Sequence, residues 1–229
     1  MLIRSVTLLT AHPEELLKFY STVLELPIDE VRQDSFTVQV GQSSLTFERE
    51  AASGVEPFYH YAIDISSNKI TEAIEWLGFK GVNLNELPTA STLYYSESWD
   101  ATSLYFYDPA GNIVEFIARH GLDYAAAGAF RSTDMLRISE IGLVVPDVPS
   151  ARDVLHATFS LDAYKEYNDK FTAVGDAHGL FILSEHKRIW LGSNRPAEIY
   201  KTAVEIECAE EREYVDDVLP YRISSVRST

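Results

Sequence analysis

The sequence predicts an α+β fold built from repeated βαβββ modules whose curved mixed sheets work in pairs. Three observations lead there. A strand-like opening at Leu2–Leu9 is followed by a helix-like segment and then by short β-prone runs. The same order returns from Tyr59 and begins again at Arg137. The stretch Ser103–Arg119, SLYFYDPAGNIVEFIAR, sets two apolar strands about the turn Asp108-Pro109-Ala110-Gly111-Asn112, whose residue types favour a tight reversal.

In the first unit, Pro13 suits the first turn of a helix, and Glu14 and Glu15 suit its positive end. Leu16, Leu17, Phe19, Tyr20, Val23 and Leu24 recur at helical spacing, and Leu26-Pro27 stops the run. Strands follow at Ile28–Arg32, Ser35–Val40 and Ser44–Glu48, with Gly41-Gln42 as a turn. In the second unit Tyr59–Ser66 alternates as a strand and Lys69–Leu77 is a helix ended by Gly78 and Gly81. Further strands are expected near Gly81–Glu86, Leu93–Ser98, Leu104–Tyr107 and Ile113–Ala118.

Gly121–Thr133 breaks the β pattern and reads as a linker with a helical turn through Tyr124–Ala127. The third unit has a strand at Arg137–Val145 and a helix at Pro149–Thr158. Its later strands are expected at Ala163–Tyr167, Lys170–Val174, Leu180–Leu183 and Ile189–Leu191. Lys201–Cys208 opens a fourth unit, with Glu210–Leu219 as its helix and Tyr221–Val226 as a last strand. That unit is short of strands. The expected organisation is a paired-module domain at 1–120, a linker at 121–135 and a paired but shortened domain at 136–229.

The totals limit the function classes. A chain of 229 residues with 46% apolar residues can bury a sizeable core, and 13 Tyr and 11 Phe supply large packing groups. A formal charge of −16 disfavours non-specific binding to nucleic acid or to an anionic membrane. The start, MLIRSVTLLTAHP, lacks the uninterrupted apolar run of a signal peptide, and no segment has the roughly 18 apolar residues of a membrane span. Cys208 is the single cysteine, so no intramolecular disulfide forms, and a cytoplasmic location is expected. No phosphate-binding loop, dinucleotide fingerprint or serine-nucleophile elbow occurs.

Chemistry concentrates in the second unit. Ile113-Val114-Glu115-Phe116-Ile117 carries one carboxylate in a β-prone run, and such an acid must be solvated, paired or bound to a cation. His60 opens that unit, and imidazole plus carboxylate suits a divalent ion. A satisfied histidine beside a paired carboxylate fits the same residues. Tyr94, Tyr95, Tyr105, Tyr107, Trp76, Trp99 and Trp190 read mainly as packing groups.

Leu16–Leu24 in the first helix, SLYFYDPAGNIVEF at 103–116 and His60 in HYAIDI resemble the vicinal-oxygen-chelate superfamily of glyoxalases, extradiol dioxygenases and bleomycin-resistance proteins. The resemblance covers most of 1–118 and continues more weakly through 136–207. It implies metal ligands from the first and last strands of paired modules, hence His60 and Glu115, with Glu48 joining if the register turns it inward. The matching positions of unit one, Ser5 and Thr46, are not strong ligands. Glu140 and Lys201 fall at the opening-strand positions of units three and four, where they are expected to pair without metal. The implied cofactor is a divalent ion (Fe²⁺, Zn²⁺ or Mn²⁺), with no nucleotide cofactor. The implied function is a metal-dependent oxygenase or lyase acting on a small substrate with vicinal oxygens. The alternative is a non-enzymatic small-ligand-binding protein with a degenerate metal centre. The expected partner is a small molecule, not nucleic acid or membrane, and a homo-oligomer is compatible with exposed sheet edges.

Overall fold

A computed structural model describes residues 1–52, 54–165 and 167–227. Unit one comprises strand β1 (Leu2–Thr10), helix α1 (Pro13–Lys18) and strands β2 (Ile28–Val31), β3 (Ser35–Val40) and β4 (Ser43–Arg49). Helix α1 carries Pro13 and two acids in its first turn and runs on into a wider turn at Phe19–Val23, which buries Phe19 and Tyr20. Unit two comprises β5 (His60–Ile65), α2 (Ile70–Phe79), β6 (Tyr94–Ser96), β7 (Ala101–Tyr107) and β8 (Ile113–Arg119). Unit three has β9 (Met135–Val145), α3 (Val148–Phe159), β10 (Phe171–Asp176) and β11 (Gly179–Glu185). Unit four has only strands, β12 (Thr202–Cys208), β13 (Arg212–Val215) and β14 (Tyr221–Arg227).

The strands make two seven-stranded mixed sheets, ordered β13-β14-β12-β1-β4-β3-β2 and β10-β11-β9-β5-β8-β7-β6. Unit one therefore pairs with unit four through β1 and β12, and unit two with unit three through β5 and β9, both antiparallel. The sequence expectation grouped neighbouring units instead, as 1–120 and 136–229. A physical reason is visible in the edges. The opening strand of each unit pairs with its own last strand on one side only, β1 with β4 and β5 with β8. The chain leaving β8 brings β9 to the open edge of β5, and β12 then covers the open edge of β1.

One face of each sheet shares a common core with the helices. Val6, Leu8, Leu45 and Phe47 of the first sheet, Tyr61, Ile63, Val114 and Phe116 of the second, and Leu16, Leu77, Leu155 and Phe159 of the helices belong to it. Alternation then dictates the opposite faces. The first sheet turns out Ser5, Thr7 and Thr46, which stay half-buried. The second turns out His60, Glu115 and Glu140, all buried.

Polar ties fix the sheets and turns. Asp108 of the expected turn accepts from the amides of Ala110 (3.0 Å) and Asn112 (2.9 Å), and the Tyr20 hydroxyl donates to it at 2.7 Å. The Asn112 side-chain oxygen accepts from the Tyr59 amide at 2.8 Å, which anchors the chain just before His60. Tyr221 on β14 reaches the other sheet, donating to the Val144 carbonyl at 2.6 Å and accepting from the Val144 amide at 3.0 Å.

Several expected elements differ. Glu210–Leu219 is no helix: β13 pairs with β14, and Asp216 accepts from the Val218 and Leu219 amides to close the turn. Strand pairing at the edge of the sheet outweighs the local helical pattern there. Residues 81–86 and 189–191 make isolated bridges, Leu84 to Phe106 and Ile189 to Pro196. In Ala163–Tyr167, Glu166 lies outside the described residues, and Ala163 bridges Val174. Residues 124–127 are not helical, and the short 3₁₀ turn is at Ser132–Asp134.

The missing helix of unit four leaves an apolar cavity of about 290 Å³ among α3, β9 and β14, lined by Leu143, Val145, Leu155, Leu183, Tyr221 and Ile223. Tyr221→Phe should cost about 1–3 kcal/mol, because it orphans a buried amide and carbonyl pair at Val144. Denaturant melts of the variant check this, and an unchanged midpoint would show that water replaces the hydroxyl.

Candidate metal centre

Register brings the site together. On the second sheet Ala62 of β5 faces Glu115 of β8 on one side and Glu140 of β9 on the other. His60 lies two residues back on the same face. A small residue between the carboxylates leaves room for them to converge. One ligand atom each from His60, Glu115 and Glu140 lies within 4.8 Å of the others, and His60 Nε2 is 3.5 Å from Glu115 Oε2.

The protonation of His60 follows from its partner. Nδ1 stands 3.2 Å from the Ile113 carbonyl, which can only accept, so Nδ1 carries the hydrogen and Nε2 presents its lone pair. Burial holds the ring neutral, lowering its pKa to about 4. A lone pair therefore faces a carboxylate, and a proton or a cation belongs between them.

The carboxylates differ in their partners. Glu140 is held by Arg119 at 2.5 Å, and Arg119 also binds Asp64 at 3.2 Å, while Arg137 approaches Asp64 at 3.4 Å. Among the described residues Glu115 has no Lys or Arg ion-pair partner; Ser103 and Tyr105 line the cavity beside it. Burial, then the charge of Glu140, pushes the Glu115 carboxyl well above the ordinary carboxylate range. Burial also raises Glu140, against the pull of Arg119.

The residues singled out in the sequence separate here. His60 and Glu115 share one site. Glu48 does not join them: it is half-exposed on β4 of the other sheet and accepts from Lys201 at 3.0 Å. Glu140 takes the third position, and the expected pairing of Glu140 with Lys201 is replaced by Arg119 with Glu140 and Lys201 with Glu48. The signal was an acid inside the apolar run of β9, but its neighbour depended on units two and three pairing. In the first sheet the corresponding register positions hold Ser5, Thr46 and Ala203. On β11, Ile182 stands where a fourth ligand would be matched to Glu115, so the donor set is three side chains.

A cavity of about 400 Å³ opens on these groups, with Trp99, Tyr105, Phe171 and Trp190 in its wall. The Trp190 ring lies 5.0 Å from the His60 ring. Gly142 makes that possible, since a Cβ there would come within 2.8 Å of the indole. The connection after β11 roofs the cup and docks on unit two: Asn85 donates to the Gly192 carbonyl at 2.8 Å and Arg195 to the Gly111 carbonyl at 2.7 Å.

The donor set fits a divalent ion: a neutral imidazole nitrogen and two carboxylates, one of them without a basic partner. No helix among the described residues is long and apolar enough to cross a membrane.

Among curated proteins none matches the chain in sequence. In fold, it superposes on a proposed dioxygenase from Bacillus subtilis subsp. subtilis str. 168 with a TM-score of 0.66, at 15% identity over 98% of this chain and 85% of that one. A point mutant of glyoxalase I from Zea mays gives a TM-score of 0.60 at 12% identity, over 99% of this chain and 92% of that one. At these identities the likeness is one of fold. The profile of the glyoxalase/bleomycin resistance protein/dioxygenase superfamily matches residues 2–116, just over half of the chain, and this protein belongs to that superfamily.

Proposed function

We propose that the protein is a divalent-metal-dependent oxygenase or lyase acting on a small substrate with vicinal oxygens, its ion held by His60, Glu115 and Glu140. One observation carries this reading: the His60 Nε2 lone pair and the Glu115 carboxylate face each other at 3.5 Å in a buried, cavity-facing position with no basic side chain between them. A cation relieves that opposition while keeping both groups in their unprotonated forms. The mixed nitrogen and oxygen donors suit Fe²⁺, Zn²⁺ or Mn²⁺.

The ion supplies Lewis acidity toward substrate oxygens. The chain supplies the rest. The Ile113 carbonyl orients His60 and Arg119 orients Glu140. Trp190 and its loop shield the centre from bulk water. Both reaction classes stay in this reading, since the fold is shared with a proposed dioxygenase and with a glyoxalase I. A second reading, a non-enzymatic small-ligand-binding protein, is favoured by the raised affinity of Glu115 and Glu140 for protons, which can neutralise the cup without metal.

Metal analysis of protein purified without added metal, with an anomalous map, tests the centre. One ion on His60, Glu115 and Glu140 is expected; a metal-free cup would favour the second reading. His60→Ala and Glu115→Gln should each lower occupancy at least about tenfold. Glu115→Gln should also leave the metal-free protein as stable as the parent or more so near pH 8, because it removes a buried charge and keeps the shape. A large loss of stability would instead mark Glu115 as a structural ion-pair partner.

The pH dependence has a definite sign. Glu115 has a folded pKa above its ordinary value, so the metal-free fold is favoured below that value and loses this contribution as pH rises toward the folded pKa. Metal binds the deprotonated carboxylates and offsets the loss. The rise in melting temperature on adding Zn²⁺ or Mn²⁺ should therefore be larger at about pH 8 than at about pH 6. Equal shifts at both would show that no buried carboxylate proton is displaced.

A further inference from the structure

We propose that the cup receives a small aromatic carboxylate, its anionic group paired with Arg188 and its ring lodged among Trp99, Tyr105 and Trp190. The proposal deepens the reading of this cup as a substrate site and rests on it. Arg188 belongs to the roofing connection, with its backbone fixed by bonds to the Glu185 carbonyl (3.1 Å) and from the Ala197 amide (2.7 Å). Its side chain lines the same cavity as His60 and Glu115. Among the described residues its guanidinium makes no ion pair or side-chain hydrogen bond, although the chain holds 35 acidic residues against 19 basic ones. The arginines below the cup are engaged, Arg119 by Asp64 and Glu140 and Arg137 by Asp64, and Arg195 of the roofing connection donates to the Gly111 carbonyl.

The guanidinium lies over the Phe171 ring, 4.7 Å from its centroid. A ring on one face leaves the N–H edge for a ligand, and that fork matches a carboxylate. Partial burial without a counter-charge is costly, and it pushes the Arg188 pKa down with no charged neighbour offsetting it.

The ends of the cup differ in the groups they offer a ligand. At the deep end Glu115 and Glu140 are the groups that hold the ion and Arg119 is taken by Asp64 and Glu140, so the carboxylate goes to Arg188 and the far edge of the ring points to the metal centre. Flat aromatic walls favour a ring over an aliphatic chain. A volume of about 400 Å³ accommodates a one-ring molecule.

The test titrates benzoate and its neutral isostere benzamide, following tryptophan fluorescence, into the protein as purified and after chelator treatment. Benzoate should bind at least about tenfold more tightly than benzamide. Arg188→Gln should abolish that preference in a protein that melts no lower than the parent, and Arg188→Lys should keep part of it. Equal affinity for both probes in the parent, benzoate binding indifferent to Arg188→Gln, or no binding of either up to about 10 mM would overturn the proposal. The metal reading fails separately. A chelated or naturally metal-free protein that keeps Arg188-dependent benzoate binding sustains this inference alone. A metal-bearing protein without such dependence overturns this inference alone.

Discussion

Charge buried without a full complement of countercharge organises the second sheet. Asp64, Glu115 and Glu140 are all enclosed on one face, with Arg119 and Arg137 to balance them. Asp64 and Glu140 take the guanidiniums, and Glu115 is left facing a neutral imidazole. Several kcal/mol are at stake in enclosing an ion without a partner, so the fold has two ways to neutralise Glu115: a proton or a cation. Which of them is present decides whether the cup is a metal centre or a polar ligand pocket. The other sheet avoids the choice, because Ser5, Thr46 and Ala203 carry no charge at the matching positions.

Features remote from that centre hold it in place. The Asp108–Asn112 turn fixes the chain entering β5 through the Tyr59 amide, and so sets where His60 points. Gly142 admits the Trp190 indole beside the imidazole. The long connection from β11 to β12 crosses the cup and fastens to unit two through Asn85 and the Gly111 carbonyl. The loop that returns the chain from the second sheet to the first thereby becomes the wall of a site built on one of them.

The fold was legible because its signals are local and repeated. Strands alternate, α1 to α3 carry apolar spacing, α1 has Pro13 and two acids in its first turn, and the turn at 108–112 closes as its residues dictate, although α2 runs through Gly78 to Phe79. His60 and Glu115 could be placed on one sheet for the same reason. Glu140 could not be joined to them, since its position depends on β5 pairing with β9, a contact set by topology rather than by neighbouring residues. Glu48 illustrates the converse. It is a carboxylate at the end of a module's last strand, yet one residue of register from Phe47, which faces the core, leaves it on the open face of the first sheet beside Lys201. The helix expected at Glu210–Leu219 fell to edge-strand pairing for a similar reason.

The grip of Arg119 on Glu140 bears on what an occupied centre could attract. A dication bound by one neutral imidazole and two carboxylates has its charge formally balanced, but Arg119 already claims part of one carboxylate. Ile182 adds no charge at the fourth position. The loaded site would therefore carry residual positive character in a medium of low polarity, where it acts strongly over a few ångströms. Substrate oxygens bearing negative charge would be drawn to it, while Arg188 supplies a second positive point at the cavity wall. On the proposed reading, two separated positive points joined by aromatic walls would suit a flat molecule with oxygen at both ends.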